Sequence, residues 1–174
     1  MSSANSKHRD RGRRSGFTLI ETALAIVIVG FAVSGMLQLL AAGTLCNVSG
    51  NEMTTAINLT KNVKEFSGGL AFQDPANPGS TNTPEGSVAK ANDIWDLDGL
   101  SLSPPMDCRG NPLPDYQGWT QKITVQTVSS RQLVSTLTDD PTQPSAMITV
   151  TILHQNQTVW MTSWLVCAPD AVGP

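Results

Sequence analysis

The chain has 174 residues, room for one domain with appendages, and only 14% of them are charged, against roughly 25% in ordinary globular proteins. A plain soluble domain is therefore excluded as the whole account. The formal net charge is −3, but residues 1–16 hold five of the 11 Lys and Arg and one of the 14 Asp and Glu, which leaves an acid-rich remainder of six against 13. That balance disfavours nucleic acid as a partner, because phosphate-backbone binding needs clustered Lys and Arg.

The chain opens on Lys7, His8, Arg9, Arg11, Arg13 and Arg14, opposed by Asp10 alone. From Thr22 to Leu45 it then runs 24 positions without a charge, enough to cross a hydrocarbon core that needs roughly 20. The positive-inside rule keeps the basic end in the cytoplasm and exports the residues beyond the span. Three fates for this region compete. A permanent anchor fits its length and charge. An ordinary secretory signal would use the small residues Ala41, Ala42 and Gly43, but its apolar core would be too long and interrupted by Glu21. Cleavage ahead of the apolar run would instead keep the whole span in the mature protein. Glu21 needs an explanation in any of these cases, since a carboxylate costs on the order of 3 kcal/mol at a bilayer centre, less near its edge, and usually finds a partner.

A basic leader followed by Gly16, Phe17, Thr18, Leu19, Ile20 and Glu21 and then an uncharged helix resembles the class III signal of type IV pilins and of the pseudopilins of type II secretion. The resemblance implies that a prepilin peptidase removes residues 1–16 by cutting after Gly16 and that the new terminal residue, Phe17, is N-methylated. It also implies that Glu21 neutralises the N-terminus of a neighbouring subunit during assembly. Residues Phe17 and Glu21 are one helical turn, roughly 6 Å, apart, and a helix N-terminus favours a nearby negative charge. The implied location is the bacterial inner membrane, held by one helix with an exported C-terminal head. From there the inner-membrane assembly platform would move the subunit out of membrane lipid, together with other pilin or pseudopilin subunits, into a pilus or periplasmic pseudopilus.

Residues 17–45 form the span, and 46–68 turn amphipathic, with Met53, Ala56, Leu59, Val63 and Phe66 at three- and four-residue spacing. Gly68 and Gly69 supply a stop. Continuous helix over 17–66 would be about 75 Å long. Gly30, Gly35 and Gly43 within it fit either close helix packing or ordinary membrane-helix composition. Residues 69–118 are expected to be irregular: Pro, Gly, Asn, Ser and Thr dominate 72–92, while Trp95, Leu97, Leu100, Leu102 and Tyr116 should pin the later part to a sheet.

Strand patterns occupy 119–168. Ile123 and Val125 alternate with Lys122, Thr124 and Gln126; Ile148, Val150 and Ile152 alternate with Thr149 and Thr151; "TVWMTSWLV" comes after a turn at 155–157 and makes a hairpin with the preceding strand. A weaker strand is expected in "RQLVSTLT", and 169–174 form a tail. The fold class is α+β, a long N-terminal helix whose amphipathic half packs on a small antiparallel sheet. This order is pilin-like, and "DLDGLSLSPP", "GWTQKITVQTV" and the final "WLV" resemble minor pilins of the type IV pilus modification group.

The parts of a catalyst are missing. His8 and His154 are the two histidines, and no zinc cluster or Ser-His-Asp set has recognisable spacing, so neither enzymatic activity nor a cofactor is expected. Asp93, Asp96, Asp98 and Gly99 invite a calcium loop, yet Ile94 and Pro105 stand where oxygen ligands are required. Asx turns in a solvated loop explain them better, and His154 reads as a solvated turn residue. Cys108 and Cys167 either form a disulfide, as pilins often do near the C-terminus, worth about 4 kcal/mol by loop entropy, or stay free thiols. Cys46 is expected to pack against neighbouring helices. The four tryptophans read as head anchors or, if exposed, as an adhesive surface. Together these features point to a minor pilin or pseudopilin, with a membrane-anchored exported binding module that does not polymerise as the alternative.

Overall fold

A computed structural model of the chain describes residues 18–76, 84–128 and 145–168. The weak strand expected in "RQLVSTLT", the tail and the Gly16–Phe17 junction lie outside the described residues. A single helix, α1, runs from Leu19 to Gly68, and the chain divides into two compact units, residues 1–47 and 48–174.

In the first unit the described residues are helix and its cap. Thr18 precedes α1, whose first turn contains Glu21. Leucine, isoleucine, valine and phenylalanine side chains point outward on every side, from Leu19, 92% exposed, through Phe31 and Leu39 to Leu45. An apolar surface all the way round suits lipid or other helices, not water.

In the second unit the helix becomes one-sided. Ala56, Leu59, Thr60, Val63 and Ser67 are its buried residues, the three- and four-residue rhythm of one face. The expected stripe holds at Ala56, Leu59 and Val63, while Met53 at its edge is 41% exposed. The helix ends as Gly69 and Leu70 donate backbone N–H groups to Phe66 and Ser67, the short bonds that tighten a last turn.

Four strands cover that face: β1 Ser101–Leu102, β2 Trp119–Thr127, β3 Ser145–His154 and β4 Gln157–Cys167. They lie in the order β1-β2-β3-β4 with every pairing antiparallel. The α+β architecture is thus the one expected, a long helix with a small antiparallel sheet. Inward positions alternate as the sequence pattern requires, with Ile123, Val125, Ile148, Val150 and Ile152 buried. Full burial of each contributes roughly 1.5–3 kcal/mol. The β3–β4 hairpin closes on a two-residue loop, Gln155 and Asn156, both at positive φ, as a type I′ turn demands.

Two expectations change. The described parts of 69–118, residues 69–76 and 84–118, are more ordered than composition suggests: they hold β1, short 3₁₀ turns at Val88–Lys90 and Trp95–Leu97, and isolated bridges Ala71–Asp93 and Met106–Pro112. Trp95, Leu97 and Leu100 are buried anchors, but Tyr116 is 37% exposed and lies outside the buried core. Gly110 shows how tightly this segment packs. Its φ is +81°, and a Cβ there would stand 2.8 Å from the Val88 side chain and 3.0 Å from Phe66.

Candidate functional site

Glu21 stands in the first turn of α1, exposed, and its carboxylate reaches back to the Thr18 N–H at 3.5 Å while Thr18 Oγ1 accepts the Glu21 N–H at 3.4 Å. This reciprocal pair is a capping box, Thr at the cap and Glu three residues on. It gives the Thr18 amide an acceptor, adds a second one for the Glu21 amide, which also donates to the Thr18 carbonyl at 3.1 Å, and puts a negative charge at the positive end of the helix macrodipole. The Thr22 hydroxyl also donates to the Thr18 carbonyl. A polar cluster thus caps a helix that is apolar and exposed immediately afterwards. Length and composition suffice to cross a membrane.

The head has its own polar framework, which holds the loop against the sheet. Asp96 is buried and accepts the N–H groups of Glu85, Asn92 and Asp93. Asp93 accepts those of Trp95 and Asp96, and the Trp95 indole N–H donates to the Phe72 carbonyl, with the two rings edge-to-face at 6.0 Å. Asp98 accepts the Val125 N–H at 2.8 Å, beside the Ile123 N–H donating to Leu100. These three acids organise backbone, and Asp93 and Asp96 do it from inside the fold, not from a solvated loop. Burial pushes the Asp93 carboxyl above its ordinary value, and Asp96 and Asp74 add to the effect against the pull of its two N–H donors. Among the described residues no group of three His, Cys, Asp or Glu could hold a metal ion.

Asp107 stands in the exposed turn before Cys108. The backbone N–H of Asn111, then that of Arg109, the Asn111 amide and the Arg109 charge hold its carboxyl below the ordinary value.

Three placements differ from the sequence reading or were missed by it. His154 is a clasp: its ring stacks on Trp119, centroids 4.4 Å apart and planes 12° apart, and Nδ1 lies 2.9 Å from Glu52 on α1. Gln121 is fully buried; its amide donates to the carbonyls of Leu59 and Met106 and accepts the Met106 N–H at 2.7 Å, tying helix, loop and sheet together. Its signal was parity, since Gln121 falls in phase with Trp119, Ile123 and Val125.

Cys108 and Cys167 are both free and exposed, as is Cys46. The register explains the missing bridge. Met106 sits by Gln121, which pairs with Ile152 and through it with Trp160. Cys167 lies seven residues further along β4, about 23 Å at the usual rise, a gap that the two residues from Met106 to Cys108 shorten by about 7 Å at most, whereas a disulfide needs Cα atoms within about 7 Å.

Comparison with known proteins bears on the N-terminal cluster. No curated protein and no solved structure matches the chain. Residues 11–37 match the family model of the prokaryotic N-terminal methylation motif, a stretch that takes in the basic leader's end, the capping box and the first turns of the span. Proteins built on this motif are structural rather than catalytic, and the motif implies processing by a prepilin peptidase, assembly with other pilin subunits and anchoring in a membrane. The chain carries the class III prepilin signal of the type IV pilin and pseudopilin family.

Proposed function

We propose that the protein is a minor pilin or pseudopilin that enters a type IV pilus or pilus-like fibre through the first half of α1, in service of adhesion, motility, DNA uptake or protein secretion. The observation that carries this reading is the Thr18–Glu21 capping box at the head of a helix whose apolar surface is exposed on every side. A lone subunit leaves that surface to lipid; a bundle of such helices would bury it.

Cleavage after Gly16 frees an α-amino group on Phe17, cationic at neutral pH, and the peptidase methylates it. The Glu21 carboxylate, held at the helix end by Thr18, is the counter-charge available to that cation. In the bilayer each charge alone is costly. Pairing the Phe17 amine of one subunit with Glu21 of the next removes both costs and sets the axial register of neighbouring helices. The head then lies on the outside of the fibre, in the periplasm or beyond the cell.

Glu21→Ala tests the role. Membrane insertion and head folding should be unchanged, because insertion rests on the apolar run and the leader charges. Recovery of the protein in sheared fibres should fall about 10-fold or more, the effect of losing a pairing worth about 1.4 kcal/mol per subunit. Normal entry of this variant into fibres would contradict the assembly role of Glu21 and favour an anchored module that does not polymerise.

A further inference from the structure

The two edges of the sheet are treated differently. At the β1 edge the strand is two residues long and stops at Ser103–Pro104. Beyond it β2 still does not offer its amides freely, for the Ile123 N–H is taken by the Leu100 carbonyl and the Val125 N–H by the Asp98 carboxylate. A short strand, a proline and a covering loop are the usual ways to blunt an edge.

Among the described residues the β4 edge has none of them. Strand β4 is 11 residues long, Gln157–Cys167, ends the sheet order, and contains no charge, proline or glycine. No other described strand pairs with its outer side. Such an edge presents a row of backbone donors and acceptors to an incoming strand.

Beside that edge lies a groove of about 220 Å³ between β4 and α1. Lys61 and Lys64 border it from the helix; Trp160, Thr162, Ser163 and Trp164 border it from the strand. Trp160, Thr162 and Trp164 pair with Ile152, Val150 and Ile148 and so continue the inward face of the sheet, but both rings stay partly open where those three neighbours are buried. Both lysines are exposed, and neither forms an ion pair with a described residue. They are two of the six Lys and Arg beyond residue 16, in a stretch with 13 Asp and Glu. The cations therefore mark this groove in an otherwise acid-rich chain.

We propose that β4 and this groove form a docking surface for an extended segment of another protein that carries acidic side chains. The segment adds as a fifth strand on β4. Its alternate side chains point into the groove, where apolar ones meet the Trp160 and Trp164 rings and carboxylates meet Lys61 and Lys64. Backbone pairing supplies strength, and the lysine–tryptophan groove supplies selection. Large half-buried rings are the residues that most often dominate such contacts. The proposal does not depend on entry into a fibre, so its failure and that of the assembly reading are separate results.

The test uses the full chain in detergent micelles and a blocked octapeptide of two Glu-Thr-Val-Thr repeats, which sets glutamate and valine in turn on one face of the strand, with tryptophan fluorescence as the readout. Saturable binding is expected, weaker as salt rises. The double variant Lys61→Glu, Lys64→Glu should bind about 10-fold less tightly or worse. A peptide N-methylated at alternate residues, which keeps its side chains but loses strand hydrogen bonds, should not bind. Any of four results would overturn the proposal: no binding of the glutamate peptide, equal binding of its counterpart with lysine in place of glutamate, equal binding of the N-methylated peptide, or self-association of the chain through β4 without peptide.

Discussion

Helix α1 has two halves that obey different rules, and their difference explains most of the protein. Before residue 48 large apolar side chains such as Leu24, Phe31 and Leu40 are exposed, and the one charge among the described residues, Glu21, stands in the first turn. After it, Ala56, Leu59 and Val63 are buried to within 2% of complete. In the second half burial is supplied by the chain's own sheet. In the first it has to come from lipid or from other subunits. One continuous secondary structure thus serves a solvent that is not water at one end and an ordinary hydrophobic core at the other.

Truncating matched leucines breaks the comparison most directly. Leu59→Ala should lower the stability of the head by about 2–5 kcal/mol, the cost of a buried leucine and its cavity. Leu39→Ala should leave head unfolding within about 0.5 kcal/mol, as for exposed sites. Urea unfolding of the full chain in micelles, monitored by tryptophan fluorescence, reads both. Equal losses at the two positions would mean that both halves are held by the same packing.

Gln121→Leu should cost less, about 1–3 kcal/mol, because it keeps the volume but strands the Met106 N–H. The same denaturation series would detect it. A neutral result would show that Met106 finds another acceptor and that Gln121 does not tie helix to sheet.

Asp93→Asn acts through pH. The folded-state carboxyl is raised, so the folded protein holds that proton more tightly than the unfolded chain. Stability from this group is then present below the unfolded value of 3.8 and is lost as pH rises through the higher folded value. Asparagine keeps an oxygen for the Trp95 and Asp96 N–H groups and removes the ionisation. The variant should gain on its parent as pH rises from 4 to 7, measured as the urea midpoint at each pH. A parent that instead loses stability toward acid in step with Asp93 would reverse the sign.

Cys108→Ser should change least, within about 0.5 kcal/mol with or without oxidant, since the exposed thiol is unbridged. Loss of several kcal/mol, or a mass two hydrogens lower in the oxidised parent, would mean that Cys108 and Cys167 do come together.

Legibility in the sequence divides along the same line. The first half of α1 was legible because its chemistry is one-dimensional: Gly16, Phe17 and Glu21 at fixed offsets, ahead of an uncharged run, need no knowledge of folding. Strands β2 to β4 were legible because alternation over eight or more residues has a period to detect. Strand β1, two residues long, has none. The Glu52–His154 contact joins residues 102 apart in sequence, and no local pattern predicts it. Asp93 and Asp96 looked like loop acids because composition cannot tell a solvated carboxylate from one surrounded by backbone N–H groups. The Cys108–Cys167 question turned on strand register, which fixes position along the sheet and is set only when all four strands are in place.

The central claim, a subunit processed ahead of its apolar helix, is tested most directly by the intact mass and N-terminal residue of the protein from membranes with and without prepilin peptidase. The account predicts a chain that begins at N-methylated Phe17 when the peptidase is present and retains residues 1–16 when it is absent. A chain that keeps its leader in both cases, or that begins near Thr44, would contradict it.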